Sequence, residues 1–469
     1  MPQQIRHGTS LSELSRVGAC AASLILAAVA LGWLVARANL ALQLGVASLA
    51  VAYYVARQLP VVAVTIVLLL TGGYNIFATT PGFVADATRF AGGIQIQDVF
   101  LLAMLAAGTT RILTSSGSHR MGRLLAPMVA CGAWLTFETV RNVALVGLSA
   151  PGELRVRYLV LGLAFGVVTC VDGEALVRSA LRIFAVVTVA LPLILLPVVL
   201  YLKGFSFSPT DRIFPASVSL GLILGLAVLW VFREFVRWPL WLLYPATVLG
   251  AMEILLDAHR SVWLAAIVLV GLLLLVQPRF ERTVRWSVVG LAVGVTTILI
   301  AQGLGYDVLN TVSERGGAAL ALQDTVAWRL DVWAASLRDF AASPFVGRGL
   351  GFYFDMSAPG LGHIAVYPHN LYVAMLVHLG VIGVVLFVWL WTAAWRTCAI
   401  VVRFARRLPA SAGIGSLCAY LGLGVLGAIA AYSIAYGLEP YSVTLLGICL
   451  AGAMGVQRGA LTPHAGSRL

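Results

Sequence analysis

A histidine and an asparagine stand at the start of a long apolar run, in Tyr367-Pro368-His369-Asn370 followed by Leu371 to Leu379. Pro368 suits the first turn of a helix, because its missing N–H would have no partner there. His369 would then lie beside free backbone N–H groups and the positive end of the helix dipole, which disfavour an imidazolium. Because a general base must be neutral before it acts, we predict that His369 is a catalytic base supported by Asn370.

An arginine opens a second apolar run, Arg260-Ser261-Val262-Trp263-Leu264, shortly after Asp257 and His259. The guanidinium group presents a rigid fork of donors that matches phosphate oxygens in pairs. Near a membrane such a group usually faces a partner or a wet cavity, so Arg260 is a candidate ligand for an anion. In the alternative interpretation, Arg260 anchors the helix end at the membrane surface or pairs with Asp257.

The elements that must position these residues are transmembrane helices. The chain has 469 residues, of which 60% are hydrophobic and only 11% are charged. That composition excludes an ordinary soluble protein, and apolar runs long enough to cross a bilayer core of about 30 Å recur along the chain. The fold class that we predict is an all-α polytopic membrane protein with one large extracytoplasmic loop that contains short helices.

We expect about 12 to 14 transmembrane helices, because each crossing needs roughly 20 apolar residues. Eleven of the predicted spans precede residue 303, the loop covers residues 304–368, and the last helices occupy residues 369–469. The predicted spans are roughly 17–36, 40–56, 59–79, 95–113, 124–142, 158–171, 183–202, 216–232, 238–256, 261–277, 286–303, 369–392, 411–434 and 439–456.

The charges set the orientation of these spans. The chain carries 31 basic and 19 acidic residues, a net charge of +12. With both termini in the cytoplasm, most basic residues fall on the cytoplasmic side with few acids, as the positive-inside rule requires. The loop 304–368, His369 and Arg260 then lie on the other side, where His259 and His363 remain possible second participants. His378 is expected in the core of its helix.

The loop is expected to hold an amphipathic helix from Asp324 to Ala342, with its apolar stripe at Val326, Leu330, Trp333, Leu337 and Phe340. Ser343-Pro344 should end this helix. Such a helix can simply lie in the membrane interface. The glycines Gly347, Gly349 and Gly351 match a nucleotide-binding pattern only weakly, because no strand precedes them. We interpret them as a tight turn that brings the loop back over the membrane.

The predicted outer side contains no Asp-x-Asp pair, no His-x-x-x-His and no cysteine pair. Those patterns supply most protein metal sites, so their absence argues for chemistry without a metal or other cofactor.

The residues at these positions resemble a known family. His369-Asn370, nine further residues, Gly380, two residues and Gly383 resemble the pattern H-[N/S/Q]-x9-G-x-x-[G/T/Y] of the O-antigen ligase (WaaL) family. The stretch from Arg260 to Leu264 is similar to the R-x3-L element of that family. The segment Trp328 to Trp333, with Pro344 and Gly347-Arg348-Gly349, is similar to the loop of the wider superfamily of O-antigen ligases and polymerases.

The resemblance implies a metal-independent, inverting glycosyltransferase of the Gram-negative inner membrane, with its active site facing the periplasm. The donor would be an O-antigen polysaccharide on undecaprenyl pyrophosphate, and the acceptor would be the lipid A–core oligosaccharide, which completes lipopolysaccharide. Arginines can neutralise a pyrophosphate leaving group without a metal. Arg260 and Arg329 are the candidates for that role, with Arg212 a third. Asn370 would orient a sugar or hold the loop, and no nucleic-acid partner is expected.

Three alternatives remain open. An O-antigen or exopolysaccharide polymerase would use the same lipid-linked donor but would transfer it to another lipid-linked repeat unit. A protein O-oligosaccharyltransferase is similar in the core motif. A transporter of a lipid-linked glycan would explain the outer arginines as a binding site, but no internal repeat supports it, and transport leaves the single large loop unexplained.

Overall fold

The structure is a computed structural model. It describes residues 40–69, 103–107, 110, 122–146, 164, 173–203, 214–236, 238–257, 259–276, 296, 299, 302–303, 325–350, 354–358, 362–366, 368–407 and 413–461. The chain divides into two compact units, Met1–Val51 and Ala52–Leu469. The described part of the first unit, from Leu40 onwards, is helical. All the candidate residues belong to the second unit.

Helices account for most of the described residues, and we number them in chain order. They are α1 (Leu40–Gln58), α2 (Pro60–Leu68), α3 (Leu125–Val146), α4 (Glu174–Ala185), α5 (Leu191–Lys203), α6 (Ala216–Val231), α7 (Arg233–Val236), α8 (Leu240–Asp257), α9 (Arg260–Val276), α10 (Thr325–Ala342), α11 (Leu371–Arg407), α12 (Ile414–Tyr432) and α13 (Pro440–Leu461). A 3₁₀ turn, Gly122–Leu124, leads into α3, and a π-helical turn, Val186–Ala190, joins α4 to α5.

Within the described residues, three helical stretches are long and apolar enough to cross a membrane: Glu174–Val198, Leu371–Arg407 and Ile414–Tyr432. Four shorter apolar helices accompany them, Ala216–Val231, Trp241–Ala251, Arg260–Val276 and Pro440–Gly455. The predicted helical membrane character of the chain is therefore confirmed. The predicted span at 17–36 and most of those at 95–113, 158–171 and 286–303 lie outside the described residues, as do residues 304–324 of the loop.

Helix α12 lies at the centre of the second unit, packed against α9, α11 and α13. Its glycines allow this close approach. A Cβ atom added to Gly424 would lie 2.7 Å from a methyl carbon of Leu269, and one added to Gly427 would overlap Leu272. Small residues at such positions let membrane helices gain van der Waals contact, which drives their association where no water is present to be released.

Helix α11 is two helices joined at a break. Gly380 has φ 66° and ψ −173°, far from helical values. The 37 residues would make a continuous helix of about 55 Å, whereas the segment after Gly380 is about 40 Å long and crosses a bilayer by itself. The sequence predicts one uninterrupted span at 369–392. The structure corrects this expectation, because the span is broken at Gly380. The break is caused by the segment that packs against it.

The segment Pro344–Gly349, which follows α10, supplies the hydrogen bonds that the break removes. Arg348 N–H donates to the carbonyl of Val377 at 2.6 Å, and Gly349 N–H donates to that of His378 at 3.1 Å. In return, Val381 N–H donates to Pro344 at 2.8 Å and Ile382 N–H donates to Phe345 at 3.3 Å. In an unbroken helix Val377 and His378 would accept from Val381 and Ile382. We call these four hydrogen bonds the splice.

The described part of the loop contains one helix, α10, which ends at Ala342 before Ser343-Pro344 as predicted. The chain then returns towards α11 through an antiparallel hairpin of β1 (Phe354–Ala358) and β2 (Gly362–Val366), with Ser357 paired to His363. The sequence analysis had assigned no strand here, because the hairpin is short and stands alone.

The buried face of α10 also differs from the predicted stripe. Leu330 and Leu337 are exposed, whereas Val332 and Ser336 are buried. Trp328, Val332 and Ser336 are spaced four residues apart and form one row along the helix. The helix therefore turns this row towards the protein and presents two of the predicted core leucines outwards.

We expect Gly380→Ala to destabilise the protein by at least about 1–3 kcal/mol, because an L-residue is strained at this positive φ. An added Cβ would also overlap the carbonyl oxygen of Phe345 in the splice. Thermal unfolding in detergent micelles measures the effect. Gly271→Ala in α9 is the control, because its Cβ would meet nothing within 4 Å and alanine favours a helix. Equal melting temperatures for Gly380→Ala and the wild type would contradict the structure.

Candidate functional site

Asn370 fixes where α11 begins. Its side-chain Oδ1 accepts hydrogen bonds from the backbone N–H groups of Tyr372 at 2.9 Å and Val373 at 3.1 Å. This is the geometry of an N-cap, which satisfies two of the otherwise free donors of the first turn. The helix therefore starts at Leu371, and Pro368 lies before it rather than in its first turn, which corrects the sequence-based expectation.

A second contact holds this helix start against α12. The N–H of Leu371 donates to the backbone carbonyl of Ser433 at 3.0 Å, just beyond the end of α12. The hydroxyl of Tyr372 donates to the carbonyl of Ala430 at 2.9 Å. The first-turn donors of α11 thus have partners both in Asn370 and in the neighbouring helix, so the residue that precedes the cap is held in a defined place.

That residue is His369, which is half-buried. Its ring lies against the indole of Trp328 from α10, with 6.2 Å between the ring centroids and an angle of 46° between the ring planes. The contact joins α10 to the start of α11. Trp328 limits access to one side of the imidazole, and the ring retains partial exposure to the surroundings.

Arg329, the next residue of α10, lies over an aromatic ring of the α12–α13 turn. Its Cζ atom is 6.0 Å from the ring centroid of Tyr436, within the range of a cation–π contact. Tyr436 stacks on Tyr432, with centroids 5.0 Å apart and planes at 17°. Consecutive residues of α10 therefore contact His369 and the tyrosine stack, and the structure brings His369 and Arg329 to one place.

The α12–α13 turn is the part of the site that sequence reasoning missed. It contributes Tyr432, Tyr436 and Glu439, and the Tyr432 hydroxyl lies 3.4 Å from Oε1 of Glu439. Two tyrosines four residues apart, followed by a glutamate between two apolar runs, were visible in the sequence. They sit between the last two predicted spans, on the side predicted for His369, and that position was the available signal.

Arg260 is the first residue of α9 and is exposed. The preceding His259 is buried, and its Nε2 donates to the carbonyl of Phe214 at 3.1 Å, which ties the start of α9 to the segment before α6. The ring of His259 is thus engaged in holding this helix start, which disfavours it as a second catalytic participant. Helix α9, which begins at Arg260, packs along α12.

Buried polar contacts lie between α6, α8 and α13. Ser219 donates to Oε1 of Glu253 at 3.0 Å, and both residues are almost fully buried. The hydroxyl of Tyr441 donates to the carbonyl of Ser217 at the start of α6. Buried polar groups in an apolar bundle need such partners, and they fix the relative register of the three helices.

Arg212 lies outside the described residues, and so do Arg155, Arg157 and Arg315. Among the residues that the structure does describe, no group of three or more His, Cys, Asp or Glu side chains is placed to hold a metal ion. Metal independence stays a prediction. The contacts of α10 bring together one imidazole, the guanidinium group of Arg329 and an aromatic surface, a set suited to proton transfer beside a bound anion.

Two comparisons with known proteins bear on this site. The family model described as O-antigen ligase matches residues 245–388, which include Arg260, the described parts of the loop and the start of α11 with its break. No curated protein matches the chain significantly. The matched segment ends in the apolar part of α11, so it contains the splice and excludes the tyrosine stack.

We expect Asn370→Ala to weaken the first turn of α11 by about 1 kcal/mol, because the cap oxygen is lost. Hydrogen exchange at the amides of Tyr372 and Val373 should accelerate several-fold, and Asn370→Asp should retain slow exchange because it keeps an acceptor oxygen. Mass spectrometry of peptides from this turn measures the exchange. Unchanged protection in Asn370→Ala would show that the cap does not hold the helix start.

Proposed function

Because residues 245–388 match the family model described as O-antigen ligase, we propose that this chain ligates an undecaprenyl-pyrophosphate-linked O-antigen polysaccharide to the lipid A–core oligosaccharide. The family comprises bacterial membrane enzymes of glycosyl transfer, both ligases and polymerases. In our proposal the enzyme is metal-independent and inverting. It is a multi-pass protein of the Gram-negative inner membrane with the site facing the periplasm and both termini in the cytoplasm.

One observation carries the proposal: α10 lies over the start of α11, so that His369 contacts Trp328 and the neighbouring Arg329 contacts Tyr436. A base and a cation are thereby held on the same helix pair. A glycosyl transfer from a pyrophosphate carrier needs both, because the attacking hydroxyl loses a proton while the leaving group gains negative charge.

The proposed step is a direct displacement. A hydroxyl oxygen of the core oligosaccharide attacks the anomeric carbon of the donor, and His369 accepts the hydroxyl proton. The bond between the anomeric carbon and the pyrophosphate oxygen breaks with its electron pair leaving on oxygen, so undecaprenyl pyrophosphate departs and the anomeric configuration inverts. Arg329 and Arg260, with Arg212 as a third candidate, stabilise the charge that develops on the leaving group.

The tyrosine stack has a place in this scheme. Sugars present apolar C–H faces beside their hydroxyl groups, and aromatic rings offer a flat surface for such amphipathic partners. Tyr436 stacks on Tyr432 and is only partly buried, so one of its faces lies next to Arg329 at the proposed position of the pyrophosphate. We propose that Tyr436 contacts the donor sugar closest to the pyrophosphate.

Polymerases of the same superfamily use the same donor, so the acceptor distinguishes the two activities. Reconstitution of the purified protein in vesicles with a lipid-linked donor tests this directly. One reaction receives lipid A–core, and the other receives only additional donor. Glycan attached to the core supports the ligase, whereas chain growth in both reactions assigns a polymerase. Movement of donor across the bilayer without transfer would assign a transporter.

In that assay we expect His369→Ala to abolish transfer, a loss of at least about 10²–10⁴-fold, because the hydroxyl proton then has no acceptor. His464→Ala, in the C-terminal segment that we predict to be cytoplasmic, is the matched control and should retain full activity. Size-exclusion chromatography shows whether both variants are folded. Wild-type rates of transfer in a folded His369→Ala protein would contradict the assignment of His369 as the base.

Arg260→Ala should reduce the rate of transfer at limiting donor, and Arg260→Lys should restore little of it, because a single ammonium cannot replace a paired contact to phosphate oxygens. The measured quantity is kcat/KM for the lipid-linked donor, and the expected loss is about ten- to a hundredfold for one charged hydrogen-bonding group. The control is Arg403→Ala, an exposed arginine near the other end of α11 whose Nε bonds to its own helix at Ala399. Full recovery in Arg260→Lys would exclude paired recognition.

A further inference from the structure

The splice is itself held by an ion pair of α3 that the proposed mechanism does not use. Glu138 is fully buried, and its Oε2 receives the Nη2 and Nε groups of Arg141 at 2.6 and 2.9 Å. The same Nη2 lies 2.9 Å from the carbonyl oxygen of Val346 and 3.1 Å from that of Gly347. One guanidinium group therefore joins α3 to the segment that forms the splice.

The surroundings leave no space for a different arrangement of this segment. A Cβ added to Gly347 would lie 2.6 Å from the carbonyl oxygens of Val377 and His378. The Ser343 hydroxyl donates to the carbonyl of Gly347 at 2.9 Å, and the ring Nδ1 of His378 donates to the carbonyl of Gly349 at 2.9 Å. The segment is thus fitted between α3 on one side and the break in α11 on the other.

The splice also lies where the two elements of the candidate site meet. Helix α10, which carries Trp328 and Arg329, runs directly into Pro344–Gly349. The first part of α11, which begins just after His369, ends at the break. The ring contact between Trp328 and His369 joins these helices at their other ends. A shift of the splice would therefore change the position of Arg329 relative to His369.

A buried carboxylate is costly in an apolar bundle unless it is paired, and removal of one partner typically costs about 3–5 kcal/mol. Glu138 and Arg141 do more than compensate each other, because the arginine also holds two loop carbonyls. Replacing the arginine leaves those carbonyls and the carboxylate without their shared donor. Lysine cannot substitute, since its ammonium lies one bond short of the Nη2 position and it lacks the second donor that Nε supplies to Glu138.

We propose that Arg141, oriented by Glu138, is a positioning residue for the glycosyl transfer: it locks the splice and thereby sets Arg329 against His369. The inference rests on the proposed function for its consequence in catalysis. The physical part, the lock on the splice, is independent of which glycan is transferred or of any transfer at all. Arg141 touches neither the proposed donor nor the proposed acceptor.

Two measurements test it on the full-length protein in vesicles. Hydrogen exchange of peptides that cover residues 345–349 and 381–382 should be at least about tenfold faster in Arg141→Ala, because local opening of the splice becomes easier. In the reconstituted assay, kcat should fall by about 10²-fold with KM for the donor nearly unchanged, since misplacement of the reacting groups acts on the chemical step. Arg141→Lys should recover neither quantity, whereas Glu138→Gln should shift both in the same direction by a smaller factor.

Arg178→Ala is the matched control. Arg178 forms an ion pair with Glu174 at 2.7 Å, similar in length but exposed and on α4. Its removal should leave exchange in the splice and kcat unchanged. If Arg141→Ala does not yield folded protein, the same measurements on Arg141→Lys and Glu138→Gln test the proposal. Hydrogen exchange in the splice at the wild-type rate in both variants would overturn it. Unchanged exchange in folded Arg141→Ala overturns it as well.

A failure of the proposed function can be distinguished from a failure of the proposed role of Arg141. If the wild-type protein transfers no glycan to either acceptor, the proposed function fails, and the exchange measurements still decide whether Arg141 locks the splice. If transfer occurs and Arg141→Ala raises exchange without lowering kcat, the lock exists but does not position the reacting groups, and the proposal is overturned in its catalytic part.

Discussion

Four backbone hydrogen bonds across a broken helix connect everything else in the described site. A helix that breaks in an apolar bundle exposes N–H and C=O groups, and each group left without a partner costs several kcal/mol in such surroundings. Here the segment Pro344–Gly349 supplies those partners, so the break and the loop each require the other. The positive φ of Gly380 and the close approach at Gly347 follow from this requirement. A Cβ atom added to Gly383, the second glycine of the family pattern, would lie 3.2 Å from the indole nitrogen of Trp134.

This arrangement gives a physical account of the short pattern that begins at His369. Asn370 caps the helix, and Gly380 ends its first part after nine intervening residues. The pattern thus marks both ends of one short helix whose start carries the histidine. The spacing is the length that brings the histidine to Trp328 while the break meets the end of α10. A histidine at the start of so short and doubly anchored an element has little freedom to move, as its proposed role in proton transfer requires.

Much of the site was accessible from the sequence, for reasons that are local. Composition and hydropathy predict membrane helices, since crossing a bilayer constrains length and polarity along a contiguous stretch. Ser343-Pro344 predicts the end of α10 and the Asp257 to Arg260 stretch predicts the start of α9, because both are signals carried by neighbouring residues. The prediction that was wrong depends on contacts between residues that are distant in the sequence. The sequence predicts one apolar stripe on α10 that includes Leu330 and Leu337, but the helix packs through Trp328, Val332 and Ser336, a choice made by its neighbours.

The sequence by itself determined a polytopic helical protein whose histidine and arginines open apolar helices, because helix starts and membrane lengths are encoded in short contiguous stretches. Only the tertiary structure decided that α11 is broken, that the loop returns through a β-hairpin, and that Tyr436 joins Arg329. It also decided that Glu138 and Arg141, which in sequence only interrupt an apolar run, hold a loop 205 residues away from the arginine. A charged pair is stable inside a bundle only through contacts that no local pattern records, so its role becomes visible when distant segments are brought together.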